Sequence, residues 1–125
     1  MEPRPASIAE IAHRVAAGAS FRFELADFLH EFARRGDFEM LREEPLLLRD
    51  QTEAMHDAYL AAVASFLSGR MGCPAPPWTR AAERILREPW FANPGRHMRA
   101  LLLVESPAAF RERNLFVSAN ALSVA

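Results

Sequence analysis

Apolar residues recur at helical spacing through the first seventy residues of the chain, and this periodicity constrains the fold more than any other feature. The clearest stripe runs from Phe21 to Phe32, where large apolar side chains fall three or four positions apart. A second stripe runs from Met55 to Leu67. Such stripes must be buried against other elements, so the sequence predicts a small helical bundle around one apolar core.

Local signals mark where the helices begin. Ser7 and Glu10 match a capping box, in which each side chain bonds a free amide at the helix start. Ser20 is placed to cap the helix of the first stripe, and Asp37 to cap a short third helix. Asp50 is placed to cap the helix of the second stripe. The first half of the chain is therefore predicted to form four helices.

A proline-rich connector, residues 73–79, follows these helices and should be extended, because proline lacks an amide hydrogen and fixes φ. Residues 1–72 carry eight arginines against twelve acidic residues, a net charge of −4. Residues 73–125 carry seven arginines against four acidic residues, a net charge of +3. At 53 residues the second half is small for an independent domain. Residues 80–125 are therefore expected to pack on the helices within a single domain, residues 1–125.

The second half has weaker periodicity. Thr79 is placed to cap a helix that runs to about Arg87 with Ile85 facing inward. Residues 96–105 fit a helix or a strand, because a short apolar run does not distinguish the two; the spacing of Leu101 and its apolar neighbours favours a helix. The predicted fold class is mainly α, with a less regular C-terminal segment packed on the bundle.

Composition excludes several classes of protein. Half of the residues are apolar and the net charge is −1, which argues against intrinsic disorder and against a protein bound mainly to phosphate or anionic lipid. The longest nearly apolar stretch, residues 58–67, is about half a membrane span, and the N-terminus has charges where a signal peptide needs apolar residues. Cys73 is the single cysteine, so no internal disulfide can form. We therefore expect a cytoplasmic protein without a membrane segment.

The residue types that serve enzyme chemistry are scattered along the chain. The four histidines lie far apart, and the HExxH and CxxC spacings of metal sites do not occur. The five glycines form neither of the phosphate-binding patterns, GxGxxG and GxxxxGK[ST], and no GxSxG marks a nucleophilic serine. The sequence therefore predicts no metal, no cofactor and no catalytic residue.

Two groups of arginines are candidates for binding. Arg80, Arg84 and Arg87 would share one face of the predicted helix, where they could follow phosphates. Glutamates four positions away favour the other interpretation, a solvated face of weak ion pairs. The second group is formed by Arg111 and Arg113, with Arg96 and Arg99 upstream, whose planar guanidinium groups could grip carboxylates or phosphates.

Aromatic residues lie beside prolines in the same part of the chain. Trp78, Trp90 and Phe91 could form an exposed anchor for a partner, since interface cores favour tryptophan and arginine. They could equally fold back onto the helical core, and the low number of tryptophans favours this second interpretation.

The C-terminal third carries a distinctive phrase. Residues 105–123 read ESPAAFRERNLFVSANALS, with EPWF at 88–91 and RAL at 99–101. This resembles the C-terminal signature, similar to ESPxAFRxRNxFVxxxAL, of a family of small uncharacterised bacterial proteins. Members of that family are often encoded beside a nucleotidyltransferase-like protein, in an arrangement that resembles a toxin–antitoxin operon.

The resemblance implies a non-enzymatic, antitoxin-like interaction module that binds and restrains a nucleotidyltransferase-fold partner. Two alternatives stay open: a DNA-binding or autoregulatory module that uses the same arginines on phosphate, and a small enzyme. An enzyme would show a concave pocket whose titratable groups have shifted pKa values. A homo-oligomer is compatible with all three hypotheses. The predicted partner-binding residues are Trp90, Phe91, Arg96, Arg99, Glu105, Arg111, Arg113 and Asn114.

Overall fold

The computed structural model describes residues 3–49 and 53–123, and these form a mainly α fold, as predicted. The α-helices within those ranges are α1 (Ile8–Ala16), α2 (Phe21–Arg35), α3 (Met55–Arg70), α4 (Arg96–Glu105) and α5 (Ala108–Arg111). None of these helices is long and apolar enough to cross a membrane. Short 3-10 turns lie at Phe38–Leu41, Pro77–Arg80 and Ala82–Arg84, and two short strands are β1 (Trp90–Phe91) and β2 (Leu115–Phe116).

The serine caps predicted for the first two helices are present, but the Glu10 carboxylate of the predicted capping box accepts from the amide of Ala6 at 3.1 Å and not from that of Ser7. The Ser7 hydroxyl accepts a hydrogen bond from the amide of Glu10 at 3.2 Å, and the Ser20 hydroxyl accepts one from the amide of Phe23 at 3.4 Å. Asp37 caps its turn as predicted, but the turn is a 3-10 helix of four residues. The cap predicted at Asp50 lies outside the described residues.

The central element is α3, which is buried on nearly every side. It packs against α5, β2 and the three 3-10 turns. On the far side of the core, α1 packs against α2, whose predicted stripe is buried from Leu25 to Phe32 and half-buried at Phe21. The helical periodicity of the first half therefore predicts its buried face correctly.

The apolar core draws on both halves of the chain. Phe110, Leu115 and Val117 pack in one cluster with the buried side chains of α1, α2 and α3. Trp78 joins the same cluster, and its indole nitrogen donates to the carbonyl of Leu41 at 3.1 Å. The C-terminal segment thus packs on the helices as predicted, and Trp78 folds back onto the core.

The helix predicted from Thr79 to Arg87 is wrong. The chain instead makes two 3-10 turns there, and Ile85, expected to face inward, is exposed. The reason is tertiary: the amide of Leu86 donates to the carbonyl of Arg113, and two further bonds of this kind align β1 beside β2 as parallel strands. Three amides within residues 86–92 therefore bond to the C-terminal segment and not to carbonyls four positions earlier, as a helix would require.

The segment 96–105 is a helix, and the strand alternative is excluded. This helix, α4, ends at Glu105 and is followed by Ser106. Sequence reasoning did not predict that Ser106 links two parts of the fold. The Ser106 hydroxyl accepts from the amide of Val117 at 2.7 Å and also lies 2.7 Å from the carbonyl of Leu102. One buried hydroxyl therefore joins the end of α4 to Val117, the residue that follows β2.

Candidate protein-binding surface

The structure separates the two arginines of the C-terminal phrase. Arg113 is 4% exposed, and its guanidinium donates to the carbonyl of Thr79 at 3.2 and 2.7 Å and to that of Ala109 at 2.6 Å. Burial lowers the pKa of Arg113 from its ordinary value. The guanidinium of Arg113 therefore holds the C-terminal segment to the turn before it, and a contact of Arg113 with a partner stays a prediction.

Asn114 and Glu105 also bond within the chain. Asn114 adopts a positive φ of 62°, which asparagine tolerates better than most residues, and its side-chain amide donates to the carbonyl of Leu86 at 2.7 Å. The carboxylate of Glu105 accepts from the amide of Ala119 at 3.1 Å. Both side chains are half-buried, so their first role is to shape the loops at this end of the molecule.

We expect Arg113→Ala to lower the free energy of unfolding by about 1–3 kcal/mol, because buried carbonyls lose their donor. Arg111→Ala, two positions away on an exposed side chain, should change it by no more than about 0.5 kcal/mol. Urea unfolding of both variants measures the difference. Equal losses would contradict the structural role assigned to Arg113.

The remaining predicted binding residues lie at or near the surface. Phe91 is half-buried and stacks on Phe116, with ring centroids 5.0 Å apart, and the guanidinium of Arg99 lies over Phe91 at 5.5 Å. Arg96 and Arg111 are exposed. Among the residues that the structure describes, neither of these two guanidinium groups has an ion-pair partner. The C-terminal half therefore presents three exposed cationic side chains, those of Arg96, Arg99 and Arg111.

Trp90 belongs more to the core than to this surface. It is half-buried, packs with the apolar cluster and lies edge-on to Tyr59, with ring centroids 6.4 Å apart. Its neighbour Phe91 is the aromatic residue that contacts Arg99. Trp90 and Phe91 were predicted to act together, but Trp90 packs against the core and Phe91 packs beneath Arg99.

A feature that sequence reasoning missed is the exposed apolar surface of α4. Leu102 is the one residue of this helix that is fully buried, and α4 packs mainly on β2. Val104 is 79% exposed, and Leu101 and Leu103 are each 49% exposed. Met98 is also exposed. We call Met98, Leu101, Leu103 and Val104 the α4 patch.

The signal for this patch was in the sequence. Four consecutive apolar residues, 101–104, point to every side of a helix, whereas a neighbour can cover only one side. A ten-residue helix that buries so little of its own surface gains little stability from packing, and isolated helices of that length are marginal in water. A partner that covers the α4 patch would therefore stabilise the helix as well as the complex.

Arg84 was also misplaced by sequence reasoning. It is fully buried, with one guanidinium nitrogen 3.7 Å from a carboxylate oxygen of buried Asp57 and 3.3 Å from its carbonyl. The other terminal nitrogen bonds the carboxylate of Glu44 at 3.2 Å and the carbonyl of Pro45. Neither interpretation of the arginine row, phosphate binding or a solvated face, holds for Arg84. It joins the loop before α3 to the segment after it.

A hollow of about 730 Å³ lies between α2, α3 and the C-terminal turn. Its floor is apolar, and one wall is built from aromatic rings. We call this hollow the aromatic pocket. The lining residues used below are Phe21, Arg22, Leu25, Leu29, Glu53, Met55, His56, Tyr59 and Trp90.

The aromatic rings of this pocket are ordered by contact with one another. Phe21 stacks on His56 with centroids 4.1 Å apart, and Tyr59 lies edge-on to Phe21 at 5.9 Å. Burial lowers the pKa of His56, which favours its uncharged form, and burial raises the pKa of Tyr59. A concave site with shifted titratable groups is what the small-enzyme alternative requires, and sequence reasoning did not locate it.

Comparisons of the chain with protein-family models, with curated proteins and with solved structures find no match. Within residues 3–49 and 53–123, no three His, Cys, Asp or Glu side chains come together in a group that could hold a metal ion. Function is therefore inferred from the α4 patch, the arginines near it and the resemblance of the C-terminal phrase.

Proposed function

We propose that this protein is an antitoxin-like interaction module that binds a nucleotidyltransferase-fold partner through the α4 patch and restrains it without catalysis. The observation that carries the proposal is the exposure of large apolar side chains around Val104 on a helix that buries little more than Leu102. Contiguous apolar surface with a polar rim is typical of protein–protein binding sites.

The charge near the patch indicates the chemistry of the partner. Arg96 and Arg99 lie on α4, and Arg111 lies on α5; both helices pack against β2. With few acidic residues in this half of the chain, these guanidinium groups favour a partner that presents carboxylates. Nucleotidyltransferases carry acidic metal ligands in their active sites, so an arginine-bearing helix complements that surface.

The size of α4 indicates the shape of the partner's site. A ten-residue helix is about 15 Å long, and a flat contact over it would bury much less than the roughly 800 Å² per partner of a stable complex. A groove that encloses the helix covers Leu101, Leu103 and Val104 together, since these side chains point in different directions. We therefore infer a helix-in-groove complex with an acidic rim.

The double substitution Leu101→Ser/Val104→Ser tests this proposal. We expect it to weaken partner binding about 100-fold while leaving the fold intact, because both side chains are exposed in the free protein and would be buried in the complex. Phe23→Ser is the matched control: Phe23 is also exposed and apolar but lies on α2. Each protein encoded beside this chain is co-expressed, and its affinity for the three forms is measured by calorimetry.

Two outcomes would contradict the proposal. Unchanged affinity in the double variant would exclude the α4 patch from the interface. The DNA-binding alternative would instead show retarded DNA of the operon's own promoter, with an affinity that falls steeply with salt. Loss of that retardation in Arg96→Ala/Arg99→Ala, with no effect of the serine substitutions, would favour a phosphate-binding function.

A further inference from the structure

The aromatic pocket carries one charge of each sign at its rim. Arg22 lies on α2, and Glu53 lies just before α3; both side chains are exposed and both line the pocket. In the described part of the chain, neither forms an ion pair with the other or with any other side chain. The other two exposed arginines of α2, by contrast, have acidic partners: Arg34 pairs with Glu31 and Arg35 with Asp37.

We propose that the aromatic pocket binds a small zwitterionic molecule with an aromatic ring, of the class of the free aromatic amino acids. The ring lies over the floor formed by Leu25, Leu29 and Met55. The carboxylate of the ligand meets Arg22, and its ammonium group meets Glu53. This inference concerns a different surface from the α4 patch and does not depend on the proposed partner.

The walls of the pocket suit an aromatic ring. Tyr59 and Trp90 both line the hollow, and their rings meet edge to face at 89°. Aromatic pairs in such arrangements contribute beyond the area they bury. The volume of about 730 Å³ lies within the range of small-molecule sites, which are lined mainly by apolar and aromatic side chains with a few polar groups.

The charge balance of the rim selects a ligand with both signs. Burial lowers the pKa of His56, which favours its uncharged form, and Arg22 and Glu53 supply the charges of the rim. A ligand that displaces water from the pocket and carries a single charge would leave the opposite group at the rim partly desolvated and without a partner. A zwitterion pairs with both groups through charge-assisted hydrogen bonds.

Three related probes dissect the site. L-Phenylalanine carries both charges, phenethylamine carries only the ammonium group, and 3-phenylpropanoate carries only the carboxylate. Binding to the full chain is followed by calorimetry and by tryptophan fluorescence excited at a wavelength that phenylalanine does not absorb. We expect L-phenylalanine to bind about tenfold more tightly than either singly charged probe and to shift the emission of Trp90, which lines the pocket.

Two substitutions then assign each charge. Arg22→Gln should weaken L-phenylalanine and 3-phenylpropanoate about tenfold and leave phenethylamine unchanged. Glu53→Gln should weaken L-phenylalanine and phenethylamine about tenfold and leave 3-phenylpropanoate unchanged. Arg80→Gln is the matched control, because Arg80 is exposed and lies outside the pocket lining.

The proposal is overturned if none of the three probes binds at millimolar concentration. It is also overturned if L-phenylalanine binds equally to the native chain and to both variants, since the rim charges would then play no part. All these variants change exposed side chains, and circular dichroism verifies that they fold. No partner protein is present, so a failure here leaves the α4 patch proposal standing.

Discussion

We expect the substitution Arg84→Ala to lower the free energy of unfolding by about 3–5 kcal/mol, enough to unfold a domain of marginal stability. Arg84 is 0% exposed, and its guanidinium faces the buried carboxylate of Asp57. Removal of the guanidinium leaves the negative charge of Asp57 buried without the positive charge of Arg84 beside it. It also removes the hydrogen-bond donor of the carbonyls of Pro45 and Asp57. Urea unfolding followed by circular dichroism measures the loss.

Two comparisons make this prediction specific to the ion pair. Arg87→Ala removes an exposed arginine three positions along the chain and should change the free energy of unfolding by no more than about 0.5 kcal/mol. The double variant Arg84→Ala/Asp57→Ala should lose less stability than the sum of the losses of the two single variants. Each single change leaves the other charge buried without its partner, and the double change does not. A loss below about 1 kcal/mol for Arg84→Ala would contradict its burial among these partners.

We expect Phe28→Ala to lower the free energy of unfolding by a similar amount, about 3–5 kcal/mol. Phe28 is fully buried on α2, in the middle of the stripe that faces the core, with the ring of Phe32 6.0 Å away. The substitution removes a large apolar side chain from water-excluded surroundings and leaves a cavity that the neighbouring helices can close only in part.

The matched variant for Phe28 lies on the same helix. Phe23→Ala truncates an aromatic residue that is 69% exposed, and it should change the free energy of unfolding by no more than about 0.5 kcal/mol. Thermal melts of the two variants therefore test the orientation of α2 directly. If Phe23→Ala were the more destabilising change, the helix would present the opposite face to the core.

The first half of the chain could be predicted because its signals are local. The face of α2 follows from residues three and four positions apart, and the cap at Ser7 follows from a residue three positions away. For residues 96–105 the spacing favours a helix but also fits a strand, and only the structure excludes the strand. The helices α1 and α2 could be predicted because neighbouring residues in each agree on one buried face.

The candidate sites could be predicted only in part, because distance along the chain separates the groups that form them. The exposed arginines Arg96, Arg99 and Arg111 were found from charge and resemblance. The aromatic pocket was not found, since Arg22 and Trp90 come together only when β1 and α2 line the same hollow. The spacing of apolar residues within one helix does not show which residues of distant segments will line the same pocket.

The sequence by itself determined the helical class, the buried stripes and most helix starts, because hydrogen bonds and side-chain neighbours within a helix lie four residues apart or fewer. Only the tertiary structure decided which arginines are buried. Arg84 reaches Asp57, 27 positions away, and Arg113 reaches Thr79, 34 positions away. Their local charge patterns suit a solvated face equally well. Long-range desolvation and hydrogen bonding to distant carbonyls turned Arg84 and Arg113 inward and left Arg111 outside.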